Sequence, residues 1–284
     1  MAAALPLFGA FLVGLSARRW LQAHVTLLTR AQLAGGIGAL AVLSGWTFHV
    51  SVGNITAIVV LLAAQLTAVA TAAWLFRRRA DGPLMAYGMY GNPTFWSLPV
   101  AAATLGAHAA VFLVAFDMLT QPRIAVAIRL LRMRAPKRQR PGTALIDYSP
   151  GIAAASGLLF GRLVPAPPAI ATIVAVLGIA MALFGALLLG VAWPKQWLDR
   201  AHLAAGARGL ALHYTLVPTL LTVATVAGVT LPGAVWILAL GPLPLSTVSF
   251  AQVYGYSAKA AASSLALSIG GALALAPLAL TIAG

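Results

Sequence analysis

Residues 83–107 read PLMAYGMYGNPTFWSLPVAAATLGA. The stretch is apolar and long enough for one membrane crossing, which takes ~20 residues as a helix. Its middle does not favour helix: Gly91, Asn92, Pro93 and Pro99 interrupt it. Proline removes an N–H and clashes with the preceding turn, so the helix breaks there. Residues 233–254, GAVWILALGPLPLSTVSFAQVY, repeat the design, with Gly241, Pro242 and Pro244 in mid-span. Paired Gly/Pro interruptions in corresponding hydrophobic spans are the best sequence pointer to a transport site. A broken helix frees N–H groups on one half and carbonyls on the other. The N–H ends suit an anion and the carbonyl ends a cation.

Working outward, the whole chain shares the apolar character of these two spans. Of its 284 residues, 61% are hydrophobic and only 8% are charged. Soluble domains carry about 25% charged residues, so the fold class is all-α integral membrane. The ~10-residue alternating segments of a β-barrel do not occur. Apolar runs place ten helices at 2–17, 31–50, 54–76, 83–107, 109–130, 146–164, 169–192, 207–228, 233–254 and 258–282. Gly53-Asn54, Asp81-Gly82-Pro83, Ala166-Pro167-Pro168 and Leu231-Pro232-Gly233 mark turns between them. The first run lacks a basic segment before it, because Arg18 and Arg19 follow it. It therefore reads as a first membrane helix rather than a signal peptide.

The net charge of +14 would point to nucleic acid in a soluble protein. Here the cations sit in short segments between apolar runs, which is a topology signal. Around alternate loops lie Arg18, Arg19 and Arg30, then Arg77, Arg78 and Arg79. A third cluster is Arg123, Arg129, Arg132, Arg134, Lys137, Arg138 and Arg140. Lys195, Arg200 and Arg208 follow, and then Lys259. Only Arg162 lies near an opposite loop, so 17 of 18 cations share one face. The positive-inside rule makes that face cytoplasmic. A multi-pass protein of the plasma (inner) membrane follows, with both termini outside. The run from Arg132 to Arg140 reads as a topology-fixing linker that meets anionic lipid headgroups, and no nucleic-acid partner is expected.

That linker, 131–145, separates a first five-helix repeat (1–130) from a second (146–284). An odd number of helices per half makes the halves opposite in orientation, the inverted-repeat design of many secondary transporters. The two interrupted spans are then the fourth helix of each half.

Asn92, Phe95, Leu98-Pro99, Gly106 and Asp117 follow one another in an order that resembles the auxin efflux carrier family. These PIN-like membrane transport proteins are related more remotely to the sodium/bile-acid symporters. The second half looks similar through Ser149-Pro150-Gly151, Gly157-Leu158-Leu159, Pro168, Gly190, Pro218, Pro242 or Pro244, Phe250-Ala251 and Tyr254-Gly255. The resemblance spans most of the chain at low identity. It implies ten helices in two inverted repeats, with helices four and nine crossing at a proline-broken X. It also implies a scaffold, a mobile transport domain and organic-anion substrates such as auxins or hydroxycarboxylates. Three departures widen the substrate range. The second crossover has Ser246 or Val248 where the family often has Asn. Ser44-Gly45 replaces a proline of helix two. Pro93, Thr94 and Ser97 stand where the first crossover has glycines.

Asn92 is the leading substrate-binding candidate, since its amide donates to a carboxylate or accepts from a donor. The plainer reading is a cap on a half-helix. Pro93, Thr94, Trp96, Ser246 and Thr247 join it, with Pro93, Pro99, Pro242 and Pro244 as the crossover prolines. Ser249 is a further small donor there, though Ser and Thr also satisfy backbone in membrane helices. Asp117 is the sole carboxylate in the middle of a predicted span, Asp147 standing at the start of its own, and an intramembrane acid is a functional hypothesis by default. With Gln121 one turn on and Thr120 beside it, it is the candidate for proton or sodium coupling; a hydrogen-bonded structural acid is the alternative. Ser264 and Ser268 read as helix-packing contacts. Tyr87, Tyr90, Tyr254, Tyr256 and Gln252 flank the breaks, as pocket walls or interface anchors. His49, His108, His202 and His213 read as lying near helix ends or loops, without metal-ligand spacing. Asp147 and Ser149 before Pro150 read as a helix start, with Ser149 as N-cap.

These residues predict a secondary transporter (a permease or efflux carrier) moving a small organic anion by alternating access. Uniport and proton or sodium coupling both stay open, as does a homodimer. No phosphate-binding loop is present, so ATP does not drive it directly. No cofactor is expected. A membrane-embedded enzyme would need convergent acids, bases or nucleophiles, and one buried carboxylate without a paired base argues against it, so no catalytic residues are expected. A channel or a ligand sensor on a transporter fold is the remaining alternative.

Overall fold

The computed structural model describes residues 5–24, 27–28, 31–77, 86, 88–91, 93–118, 144–193, 200–244, 247–248 and 257–283. The protein is all-α: no strand occurs among the described residues. Its elements are α1 (Leu5–Leu21), α2 (Gly38–Thr47), α3 (Val52–Leu75), α4 (Leu98–Leu105), α5 (Ala107–Met118), α6 (Ala144–Leu163), α7 (Ala169–Ala192), α8 (Arg200–Val226), α9 (Gly233–Ala239) and α10 (Ala258–Ala283). Wider π-helical turns, Gln32–Ile37 and Pro93–Ser97, lead into α2 and α4. Among the described residues four helices are long and apolar enough to cross a membrane: Val52–Leu75, Ala169–Val191, His202–Val226 and Ala258–Ala283.

The chain forms two compact units whose segments interleave in sequence. Unit 1 is Met1–Val50, Pro93–Ala127 and Arg140–Ala192; unit 2 is Ser51–Asn92, Ile128–Gln139 and Trp193–Gly284. The chain passes from unit 2 to unit 1 between Asn92 and Pro93, inside the first predicted interruption.

In unit 1, α1 packs along α7 and α2 along α6. Glycines set both approaches. A Cβ on Gly14 would overlap the Leu187 carbonyl, and one on Gly190 the Phe11 carbonyl. A Cβ on Gly45 would overlap the Ala154 carbonyl, and one on Gly157 the Val42 carbonyl. Small residues let helix backbones touch, which is how helices associate where lipid removes the hydrophobic drive. The contacts advance together along each pair. Leu7 packs with Ala182 and Ala186, while Gly14 meets Leu187 and Gly190. Val42 meets Gly157, Trp46 meets Gly161, and the Trp46 indole donates to the Val164 carbonyl at 2.8 Å. Both pairs therefore run parallel. The far side of α6 carries exposed Ile152, Leu159 and Leu163 at helical spacing, an apolar face suited to lipid. Gln32 ties the turn before α2 to α7 by donating to the Met181 carbonyl at 3.0 Å.

In unit 2, α8 packs against α3, α9 and α10, and α9 also lies on α10. Ser51 caps α3, its hydroxyl accepting from the Asn54 N–H at 3.2 Å.

Four local readings change. Gly53-Asn54, read as a turn, belongs to the first turn of α3, because Ser51 supplies the cap ahead of it. Arg18 and Arg19 lie in the last turn of α1 rather than beyond it, where cations complement the helix dipole. The helix start at Ser149-Pro150 is overturned, since α6 already begins at Ala144 and runs through Pro150. Tertiary packing on both sides of a proline can hold a helix through it. α8 begins at Arg200 rather than 207, which moves His213, itself buried, from near a helix end to the middle of the helix.

A candidate polar site at the helix interruptions

Both predicted interruptions are real departures from helix. At the first, Met89 and Tyr90 form a turn and Gly91 takes φ +69°, a left-handed conformation that favours glycine. After Asn92, whose placement is outside the described residues, the Pro93–Ser97 π turn leads into α4. At the second, α9 ends at Ala239, a turn closes with the Gly241 N–H on the Leu238 carbonyl at 3.2 Å, and residues 242–244 leave helix. The chain turns back into helix at Thr247, whose N–H donates to the Pro244 carbonyl at 2.9 Å.

Within unit 2 the two breaks lie against each other. A Cβ on Gly91 would sit 3.2 Å from the Leu238 side chain and 3.4 Å from its carbonyl oxygen. One on Gly88 would sit 3.2 Å from the Leu243 side chain. A Cβ would crowd a leucine side chain at either place, and at Gly91 the left-handed backbone favours glycine as well.

Broken helices leave backbone groups that must be satisfied, and three neighbouring helices supply partners. From α3, Gln65 donates its amide to the Tyr90 carbonyl at 2.7 Å. From α8, His213 Nε2 lies 3.3 Å from the Gly241 carbonyl. From α10, the Ser268 hydroxyl accepts from the Leu243 N–H at 3.2 Å and donates to the Leu265 carbonyl at 2.7 Å. Tyr214 braces this corner by donating to the Ser268 carbonyl at 2.7 Å. Gln65, His213 and Ser268 are all buried. Two of their polar atoms, Gln65 Oε1 and His213 Nδ1, have no hydrogen-bond partner among the described residues, and neither has the buried Tyr90 hydroxyl.

The residues singled out from sequence divide between the units. Pro93, Pro99 and Asp117 are buried in unit 1, Asp117 on α5. Trp96 packs, half-buried, on the Leu7, Ala182 and Ala186 cluster, so its ring belongs to the unit 1 core. Pro242, Pro244 and Thr247 are buried in unit 2, where the Thr247 hydroxyl turns back onto the Pro244 carbonyl. Asn92, Thr120, Gln121, Ser246, Ser249, Gln252, Tyr87, Tyr254 and Tyr256 lie outside the described residues, as does the Thr94 side chain. Among the described residues no three His, Asp or Glu side chains gather as metal ligands.

Three residues at the breaks had been given no such role. Gln65 was legible as the one amide in the middle of α3, beyond its first turn, where a polar side chain is expensive. His213 was obscured by the late start assigned to its helix. Ser268 was read as packing, and its bond to the second break depends on a contact 25 residues away in sequence. No family model matches the chain, and no curated protein matches it.

Proposed function

We propose that this protein is a secondary transporter, distantly related to the auxin efflux carriers, that moves a small organic anion by alternating access. The observation that carries the reading is the meeting of two helix interruptions inside unit 2, with buried polar side chains from α3, α8 and α10 gathered on them. Interrupted helices inside a membrane are tolerated where they line a site or a cavity.

The ten-span inverted repeat draws support from unit 1. Exchanging the halves turns helix one into six and two into seven, so the pair one–seven becomes six–two. Both pairs are made, both through glycine-to-backbone contacts. Gly45 lies two residues before the end of α2 at Thr47, and Gly190 two before the end of α7 at Ala192. Spans that alternate in direction run parallel only when their numbers differ by an even step. Pairs one–seven and two–six meet that condition, as their parallel contacts require.

The Asn92 amide is the proposed anion contact, with Ser246 and Thr247 of the same unit as further candidates. Asp117 with Gln121 is the proposed coupling site for a proton or sodium ion. The test is isotope uptake in proteoliposomes with mono-, di- and hydroxycarboxylates and indole-3-acetate, with and without pH and sodium gradients. Saturable uptake with counterflow is expected, with affinity at least about tenfold weaker in Asn92→Ala, the scale of one lost hydrogen bond to a charged group. Flux without saturation would instead identify a channel, and binding without flux a sensor.

A further inference from the structure

The two helix pairs of unit 1 agree residue by residue. A Cβ on Gly14 would overlap the Leu187 carbonyl, and one on Gly157 the Val42 carbonyl. A Cβ on Gly190 would meet the Phe11 carbonyl and the Leu15 nitrogen, and one on Gly45 the Ala154 carbonyl and the Leu158 nitrogen. A shift of 143 residues from α1 to α6 and of 145 from α2 to α7 turns each contact into its counterpart. Contacts that recur with the partners exchanged mark a two-fold relation. A Cβ on Gly36 would overlap the sulfur of Met181, the residue 145 further on. A position beside a two-fold axis meets its own counterpart in this way.

The correspondence continues in unit 2. There α3 begins at Val52 and α8 at Arg200, and the two helices pack on each other. Gln65 and His213 each stand 13 residues after these starts. Gln65 faces the Tyr90 carbonyl of the first break, and His213 the Gly241 carbonyl of the second. Tyr90 and Gly241 are 151 residues apart, the shift that also carries the start of α5 at Ala107 onto that of α10 at Ala258. A carbonyl only accepts, so each side chain is the donor in an equivalent bond. The two bonds differ in length. The first measures 2.7 Å and the second 3.3 Å, one inside and one beyond the usual range of about 2.7–3.2 Å. The two repeats thus place like donors on like carbonyls, one bond tight and the other slack.

In an inverted-repeat carrier, the conformation that one repeat holds in one facing state is held by the other repeat in the opposite state. We infer that Gln65 and His213 are paired positioning residues of that exchange, latches on the two breaks that tighten one at a time. The Gln65 latch holds the state of this structure, and the His213 latch holds the state that faces the other side. The inference rests on the transport reading for the existence of the second state.

Sidedness of access tests this, because a side chain that only holds the fold together does not move it. The chain has no cysteine, so Met89→Cys and Leu240→Cys, both buried at the breaks, serve as single reporters. Each is labelled with a small membrane-impermeant thiol reagent in sealed right-side-out and inverted vesicles, which gives the ratio of outside to inside labelling rates. Gln65→Met and His213→Met are expected to shift that ratio at least about threefold in opposite directions, the scale of one neutral hydrogen bond. Gln65→His and His213→Gln keep a donor and should shift it in the same two directions by less, which decides the matter if a methionine variant does not fold. Shifts of both variants to the same side, or an unchanged ratio, overturn the inference. Opposite shifts without counterflow of any solute keep the latches and reject the transport reading. Counterflow with same-sided shifts keeps that reading and rejects the latches.

Discussion

Asp117 and Gln65 are both polar side chains buried in apolar helices, one in each unit. Their chemistry assigns them different work. A carboxylate can exchange a proton or hold a cation, whereas an amide can only orient and recognise. Replacing Asp117 by Asn keeps the size and the hydrogen-bonding capacity but removes the titration. Asp117→Asn is therefore expected to leave counterflow near the wild-type level while reducing gradient-driven accumulation at least about tenfold, the ratio that a 1.4 kcal/mol driving force maintains. Uptake driven by imposed pH or sodium gradients checks this, and full retention of accumulation removes Asp117 from coupling. Legibility at this scale followed isolation. Asp117 stands out because it is the sole acid in its apolar run, and Gln65 carries the same signal in α3. His213 did not, because its role depends on a carbonyl 28 residues away.

At the scale of elements, composition decides which face of a helix meets protein and which meets lipid. Along α6 the buried positions are Ala154 and Gly157, while Ile152, Leu159 and Leu163 are exposed. This inverts the pattern of a water-soluble helix, where large apolar residues turn inward. Gly157 is the tightest test, since a Cβ there would overlap the Val42 carbonyl and lie 3.0 Å from the Trp46 N–H nitrogen. Gly157→Val is expected to destabilise unit 1 by about 1–3 kcal/mol through overpacking. An enlargement of equal size at Leu159, on the exposed face, should change little. Thermal unfolding of the two variants in detergent compares them directly; equal stability would mean that α2 and α6 do not touch in the folded protein. The breaks near Pro93 and Pro242 were legible because proline acts locally on its own turn. The start of α3 was not, because it is decided by the Ser51 cap rather than by hydropathy.

For the whole molecule, the alternation of basic loops and the parallel helix pairs of unit 1 are independent constraints on the same topology. The chain contains no cysteine, so single cysteines report their own exposure without a background. Cysteines placed at Arg78 and Lys137 should react with a membrane-impermeant maleimide only from the cytoplasmic side. One at Ala166 should react only from outside, with labelling differing about tenfold or more between sealed right-side-out and inverted vesicles, as the positive-inside rule requires. Labelling of Arg78 and Ala166 positions from the same side would reject the predicted number of crossings.

The sequence by itself determined the all-α class, the apolar spans and the places where two helices break. Each of these follows from forces that act within one segment: transfer of side chains into lipid, and the loss of an N–H at proline. Which helices pair was decided only by the tertiary structure, because glycines at positions 14, 45, 157 and 190 permit close approach without naming a partner. The polar surroundings of the breaks were decided the same way. Gln65, His213 and Ser268 come from three helices far apart in sequence, and only folding brings each to the backbone group it satisfies.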